Sequence, residues 1–244
     1  MLVENELAES IESARALIGA GQILVNGQQK DKAGELFKPD CTIEVKKKQP
    51  YVSRGGLKLE EGLHSFGIDP NGFVCADIGC STGGFTDCLL QHGAARVYSV
   101  DVGYGVLDWK LRQDDRVVVL ERKNARHLTR KDIQEPIDLA VIDASFISLE
   151  LLLEPVSRLF DNKVSILALI KPQFELPREK VAKGGVVKES ALHDEALEKI
   201  RKFAISLGLI SQGIVVSPIK GAKGNKEFLM HLFGMDEDKG KTLK

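Results

Sequence analysis

Short apolar runs alternate with stretches of helical periodicity along most of the chain. Phe73–Asp77, Val97–Asp101, Val117–Leu120, Leu139–Asp143 and Ser165–Ile170 read as strands. Between them, Gly84–His92 and Leu149–Phe160 read as helices. Such alternation predicts a mostly parallel sheet with helices on both faces. A further helix is expected over Leu192–Leu207, followed by strands over Leu209–Val216 and Glu227–Phe233. A short loop joins these two strands, which makes them an antiparallel pair. The expected fold class is α/β with an antiparallel last strand.

The first 47 residues follow a different pattern. Ser10 is placed to cap a helix through Ala14, Leu17 and Ile18 that stops at Gly19-Ala20-Gly21. Ile23-Leu24-Val25-Asn26-Gly27 predicts a strand entering a hairpin turn. Cys41–Val45 alternates apolar and polar positions as a half-buried strand does. Lys46-Lys47-Lys48-Gln49-Pro50 then breaks the pattern. The division expected is a small α+β domain over 1–47, a linker over 48–53, the α/β domain over 54–236 and a polar tail over 237–244.

Composition narrows the class. Of 244 residues, 43% are hydrophobic and 28% charged, ordinary values for a globular protein. No apolar run approaches the roughly 18 residues of a membrane-spanning helix. Met1-Leu2-Val3-Glu4-Asn5-Glu6 lacks the positive start of a secretion signal, so the cytoplasm is expected, with Cys41, Cys75, Cys80 and Cys88 reduced. No Cys-x-x-Cys pair occurs, and no metal site is expected. A net charge of −1 gives no global argument for nucleic acid. Locally the picture changes: Lys46, Lys47, Lys48, Arg54 and Lys58 share one stretch free of acids, with Tyr51 among them. Such a segment can bind phosphates and stack a base. Lys220, Lys223 and Lys226 form a second basic loop.

The candidate chemistry begins at Asp77-Ile78-Gly79-Cys80-Ser81-Thr82-Gly83-Gly84-Phe85, where a strand enters a glycine-rich turn that opens a helix. Glycines let the backbone turn tightly and approach a ligand, and the helix start offers free amides. Asp101 ends the next strand, where a carboxylate can take both hydroxyls of a ribose. The spacing differs from the Gly-x-Gly-x-x-Gly of dinucleotide enzymes. It points to S-adenosylmethionine, with Asp77, Gly79, Ser81, Thr82, Gly83, Gly84, Phe85, Asp101 and Asp143 around the donor and Asn124 at its adenine. The sheet is then of the Rossmann-like class I methyltransferase type. Asp143-Ala144-Ser145-Phe146 lacks the prolines usual in enzymes that methylate amino groups, which disfavours a base nitrogen as acceptor. Lys171 ends the fifth strand, beside the crevice where open α/β sheets bind ligands.

Ser53-Arg54-Gly55-Gly56-Leu57-Lys58-Leu59, the turn Asp77–Phe85, Val141–Phe146, Ile170–Glu175 and Gly224-Asn225-Lys226-Glu227-Phe228 together resemble the hemolysin A (TlyA-type) family over nearly the whole chain. The resemblance implies an FtsJ-like ribosomal RNA 2′-O-methyltransferase with an N-terminal S4 RNA-binding domain. It implies a catalytic tetrad of Lys58, Asp143, Lys171 and Glu227, and ribosomal RNA or ribosomal subunits as partner, with no membrane. Lys171 becomes the candidate base or proton-directing group. A free lysine, with pKa near ~10.4, is a poor base at neutral pH. Lys58 and the donor's sulfonium would lower that value, and Asp143 and Glu227 would oppose them. Arg54, Lys220 and Lys223, with the lysines of 46–48, are the RNA-binding candidates. The family's small domain usually opens on a basic helix, and Met1-Leu2-Val3-Glu4 implies that part of this helix is missing here. Two alternatives stand beside this reading: a pore-forming toxin, as the hemolysin name suggests, and a non-catalytic RNA-binding protein that keeps the fold. The sequence sets no oligomeric state.

Overall fold

The computed structural model describes residues 1–46 and 49–235. Lys47, Lys48 and the expected tail at 237–244 lie outside the described residues. The chain divides into two compact units, Met1–Pro50 and Tyr51–Lys244.

In the small unit, Ser10 starts helix α1 (Ile11–Gly19) with a reciprocal cap. Its hydroxyl accepts from the Ser13 amide, and the Ser13 hydroxyl accepts from the Ser10 amide. Strands β1 (Ile23–Val25) and β2 (Gln28–Lys30) pair across Asn26-Gly27, both at positive φ, as the tight two-residue hairpin demands. Strand β3 (Ile43–Val45) joins the other edge of β1. Leu2, Ala14, Ile23 and Val25 form the core.

The large unit opens with α2 (Gly55–Phe66), then β4 (Val74–Ile78), α3 (Gly84–Gln91), β5 (Arg96–Val100), α4 (Trp109–Arg112) and β6 (Val117–Leu120). It continues through β7 (Leu139–Ile142), α5 (Glu150–Ser157), β8 (Lys163–Ile170), α6 (Pro172–Glu175), α7 (Ser190–Ser206), β9 (Ile210–Val216) and β10 (Phe228–Met235). The sheet order is β6-β5-β4-β7-β8-β10-β9. Strands β4 to β8 run parallel, and β10 lies antiparallel between β8 and β9.

Period-2 alternation splits the strands between two cores. Cys75 packs with Leu59, Leu63, Cys88 and Leu89 on the side of α2 and α3. Ala76 and Ile78 face Leu152, Leu153, Val156 and Ile200 on the side of α5 and α7. Each fully buried leucine contributes about 1.5–3 kcal/mol. Asp77 falls on the Cys75 side, so its carboxylate enters the sheet–α3 layer with no exposed surface.

Two expectations need correction. Residues 51–53 are no free linker: the Val52 amide donates to Asp87 Oδ2 at 2.8 Å, which ties the segment to α3. Tyr51 offers no ring to a base, because it is buried and its hydroxyl donates to Glu60 at 2.8 Å. Its ring lies where a Gly56 side chain would stand. Gly56→Ala therefore forces the buried ring to move and should cost about 1–3 kcal/mol. Urea unfolding followed by circular dichroism measures this, and unchanged stability contradicts it.

Candidate active site

The strand order reverses beside β4, which leaves a crevice at the carboxyl ends of β4 and β7. A cleft of about 310 Å³ opens there. The glycine-rich turn forms its floor. Gly79 has φ +83°, and a β-carbon on it would stand 2.8 Å from the Asp143 carbonyl oxygen, so only glycine lets the two strand ends meet this closely. Ser81 also holds a positive φ of 49°, a conformation that costs a non-glycine residue about 1–3 kcal/mol. Ser81, Thr82, Gly84 and Phe85 line the cleft, and Gly83 caps α3 beneath them.

Asp77 lies at the base. Its Oδ2 accepts from the Thr86 hydroxyl at 2.6 Å, and Thr86 is in turn 2.8 Å from the Ser99 hydroxyl. Its Oδ1 is buried with no hydrogen-bond partner. Burial pushes this carboxyl up to about 7; the Thr86 hydrogen bond opposes that, and the neighbouring Asp143 and Asp101 carboxylates add to it. Asp101 bends back over the turn: its oxygens accept from the Ser81 amide at 2.9 Å and the Gly103 amide at 2.7 Å. A carboxylate has lone pairs left for further donors. Cys80 lines the cleft, but burial raises its thiol well above the ordinary range, so it provides no thiolate.

The four expected tetrad residues come together as two ion pairs. Lys171 follows β8, with its Nζ 2.6 Å from Asp143 Oδ1. Lys58 reaches from α2 to Glu227, which precedes β10, at 2.6 Å. Lys171 also donates to the Ser145 hydroxyl at 2.7 Å. Lys171 is 8% exposed and Glu227 3%, and such burial requires the pairing.

Residues 51–233 match the model of the FtsJ-like methyltransferase family. The chain belongs to that family. A Bacillus subtilis (strain 168) relative named for rRNA methylation, YqxC, is 47% identical over 95% of this chain and 83% of its own length. The 16S/23S rRNA (cytidine-2'-O)-methyltransferase TlyA of Mycobacterium tuberculosis (strain CDC 1551 / Oshkosh) is 42% identical over 95% of this chain and 87% of its own. A solved structure described as a hemolysin from Streptococcus thermophilus superposes with a TM-score of 0.77 at 43% identity, covering 96% of this chain and 86% of that one. Among the described residues of this FtsJ-like enzyme, no helix is long and apolar enough to cross a membrane.

The remaining candidates are placed unevenly. Arg54 and Lys220 line the cleft and are exposed, and Lys223 is exposed on the same loop as Lys220. Lys46 sits in the small unit, where its Nζ donates to Gln29 at 2.6 Å. Asn124 does not line the Asp77 cleft. It caps a short turn by accepting from the Arg126 amide at 3.1 Å, and it borders a neighbouring cleft with Val102, Ser145, Phe146 and Phe174.

Sequence reasoning missed several residues here. Ser145 contacts Lys171 and borders both clefts. Phe146 is 91% exposed at φ +64° and packs against Phe174 with ring centroids 5.0 Å apart. Asn225 is buried and joins two loops, accepting from the Val187 amide and donating to the Gly185 and Ala222 carbonyls. The signal available for Ser145 and Phe146 was their place directly after Asp143.

The raised Asp77 carboxyl has a sign for stability. Its folded value lies above the unfolded one, so the folded state binds the extra proton between about 4 and about 7, and stability falls as pH rises through that window. Asp77→Asn removes the effect. Relative to wild type, the variant should gain on the order of 3 kcal/mol between pH 4 and pH 8. Denaturant titrations at both pH values check this, and a pH-independent difference contradicts it.

Proposed function

We propose that this enzyme transfers a methyl group from S-adenosylmethionine to a ribose 2′-hydroxyl of ribosomal RNA. The observation that carries the reading is the Lys171–Asp143 pair beside Lys58–Glu227, at a cleft whose base holds an unpartnered carboxylate oxygen. The donor fits that base. It carries a sulfonium and an amino group, both cationic, and Asp77 Oδ1 is a buried acceptor with no partner of its own. Asp77 would face the methionine part, Asp101 the ribose, and the turn Gly79–Phe85 the backbone of the donor. The bound donor supplies an electrophilic methyl group.

The chain's own residues then act on the acceptor. A ribose hydroxyl is a weak nucleophile and must shed its proton as it attacks. Lys171 is held by Asp143 and Ser145, so its remaining hydrogen is aimed rather than free. In this reading the C–O bond forms as the S–CH3 bond breaks, S-adenosylhomocysteine leaves, and the hydroxyl's proton passes to water at the open cleft. Lys171 meanwhile directs the hydroxyl and stabilises the negative charge that develops on its oxygen. In-line placement of oxygen and methyl supplies much of the remaining rate. Lys58, held by Glu227, lines the same cleft. A cytidine ribose is the expected acceptor, in keeping with the relative named for cytidine-2'-O-methylation.

RNA would be met by Arg54, Lys220 and Lys223 at the rim and by the exposed Phe146 ring. The small unit, a helix on a three-stranded sheet with Lys46 on its surface, is read as an S4-like RNA-binding module. Ribosomal subunits as substrate place the enzyme in the cytoplasm.

Lys171→Ala should lower methyl transfer by about 100-fold or more while donor affinity stays within about twofold. Incubation with ribosomal subunits and labelled donor, followed by ribose-methylation mapping and calorimetry, tests both parts. Near-wild-type transfer by the variant, or label on a base, contradicts the reading. A cationic donor also favours ionised Asp77, so donor binding should weaken as pH falls below about 7 and release a proton there. Calorimetry in buffers of different ionisation enthalpy detects that proton.

A further inference from the structure

Glu175 is a buried carboxylate that the chemistry above does not use. It closes the short helix α6 that begins just after Lys171, and it is 4% exposed. Its carboxylate leaves its own loop and reaches the next strand's. Oε1 accepts from the Leu149 amide at 2.9 Å and Oε2 accepts from the Ser148 hydroxyl at 2.6 Å. Leu149 is the cap residue of α5, so the charge sits at a helix start, where free amides favour an anion. Lys199 of α7 completes the cluster. Its Nζ donates to the Glu175 carbonyl at 2.8 Å, closing the carboxyl end of α6, and stands 3.0 Å from Glu150. One carboxylate and one ammonium thus bind α5, α6 and α7 together.

The segment so clamped is the one between β7 and α5, and it carries Asp143, Ser145 and Phe146. On the other side of the clamp, four residues before Glu175, stands Lys171. The Lys171–Ser145 hydrogen bond spans these two loops. Phe146, exposed and at a positive φ, adds only a ring contact with Phe174, 5.0 Å between centroids, so the hydrogen-bonded tie between the two loops beyond Lys171–Ser145 comes from Glu175.

We propose that Glu175 is a positioning residue, which sets the spacing of the Asp143–Phe146 segment from Lys171 and thereby the rate of methyl transfer without touching donor or acceptor. The proposal rests on the reading of Lys171 given above. It differs from a general stabilising role in what it affects most: the glycine-rich turn and Asp77 make none of the Glu175 contacts, so donor affinity should change far less than kcat.

Two measurements separate the clamp from the assigned activity. Hydrogen exchange followed by mass spectrometry needs no catalysis. In Glu175→Ala, amides over 144–150 should exchange about tenfold faster or more, while those over 77–91 keep their protection. Unchanged exchange over 144–150 overturns the clamp, whatever the enzyme's substrate. In methyl transfer, Glu175→Ala should lower kcat about 10- to 100-fold with the donor's Kd within about twofold. Glu175→Gln, which keeps an acceptor for the Leu149 amide, should recover part of that loss. A parallel loss of donor binding, or no loss of kcat in the folded variant, overturns the positioning role. Should Glu175→Ala fail to fold, Ser148→Ala removes one clamp bond alone, and Ser148→Thr restores it. The same exchange and kcat effects, smaller in size, are expected of the first and not of the second.

Discussion

Lys171 is a charge held almost out of water, and the layout of the site follows from what that demands. An ammonium at this depth persists only with a carboxylate and further acceptors at hand. None is supplied by its own strand. Asp143 comes from β7 and Ser145 from the segment after it, so the pairing of β7 with β8 is a condition for the charge to exist there. The second pair obeys the same rule over a longer span, because Lys58 belongs to α2 and Glu227 to the approach of β10. The sheet order thus delivers the chemistry as much as it delivers the core.

The distribution of charge within the cleft has two halves. Asp77 lies at its base, where the neighbouring Asp143 and Asp101 carboxylates both act on it. Basic side chains, Arg54 and Lys220, line its rim. A cationic small molecule is favoured below and a polyanion above. The net charge of −1 conceals this division, since it sums 34 basic and 35 acidic side chains over the whole chain.

Much of the fold was legible because strands buried on both faces announce themselves as apolar runs, as Leu139–Ile142 and Lys163–Ile170 do after their first residues. The hairpin at Asn26-Gly27 was legible because few sequences tolerate two successive positive φ values. Helix α2 was not, since Gly55, Gly56 and Gly62 make it a poor helix by propensity and only burial of Leu59 and Leu63 holds it. Helices α4 and α6 are too short for a period to show. In the site, Asp77, Asp101, Asp143 and Lys171 stand at or beside strand ends, positions that the apolar runs reveal, whereas Lys58 inside α2 and Glu227 ahead of β10 were reached only through the family resemblance. Tyr51 misled because burial of its ring and the Glu60 carboxylate as its partner outrank what residue type alone suggests. Glu175 and Asn225 act across loops far apart in sequence, and no local pattern encodes that.

The placement of β10 carries a consequence for how the molecule comes into being. This strand is the last in sequence, yet it fills the slot between β8 and β9 and delivers Glu227 to Lys58, 169 residues upstream. A nascent chain emerging at about 5–20 residues per second can assemble the parallel strands early, but Lys58 lacks its partner Glu227 until the segment that leads into β10 has emerged. The unfinished chain would hold the donor-side turn and Lys171 without Glu227. Synthesis itself therefore acts as the interlock: the Lys58–Glu227 pair closes only once β10 has left the ribosome.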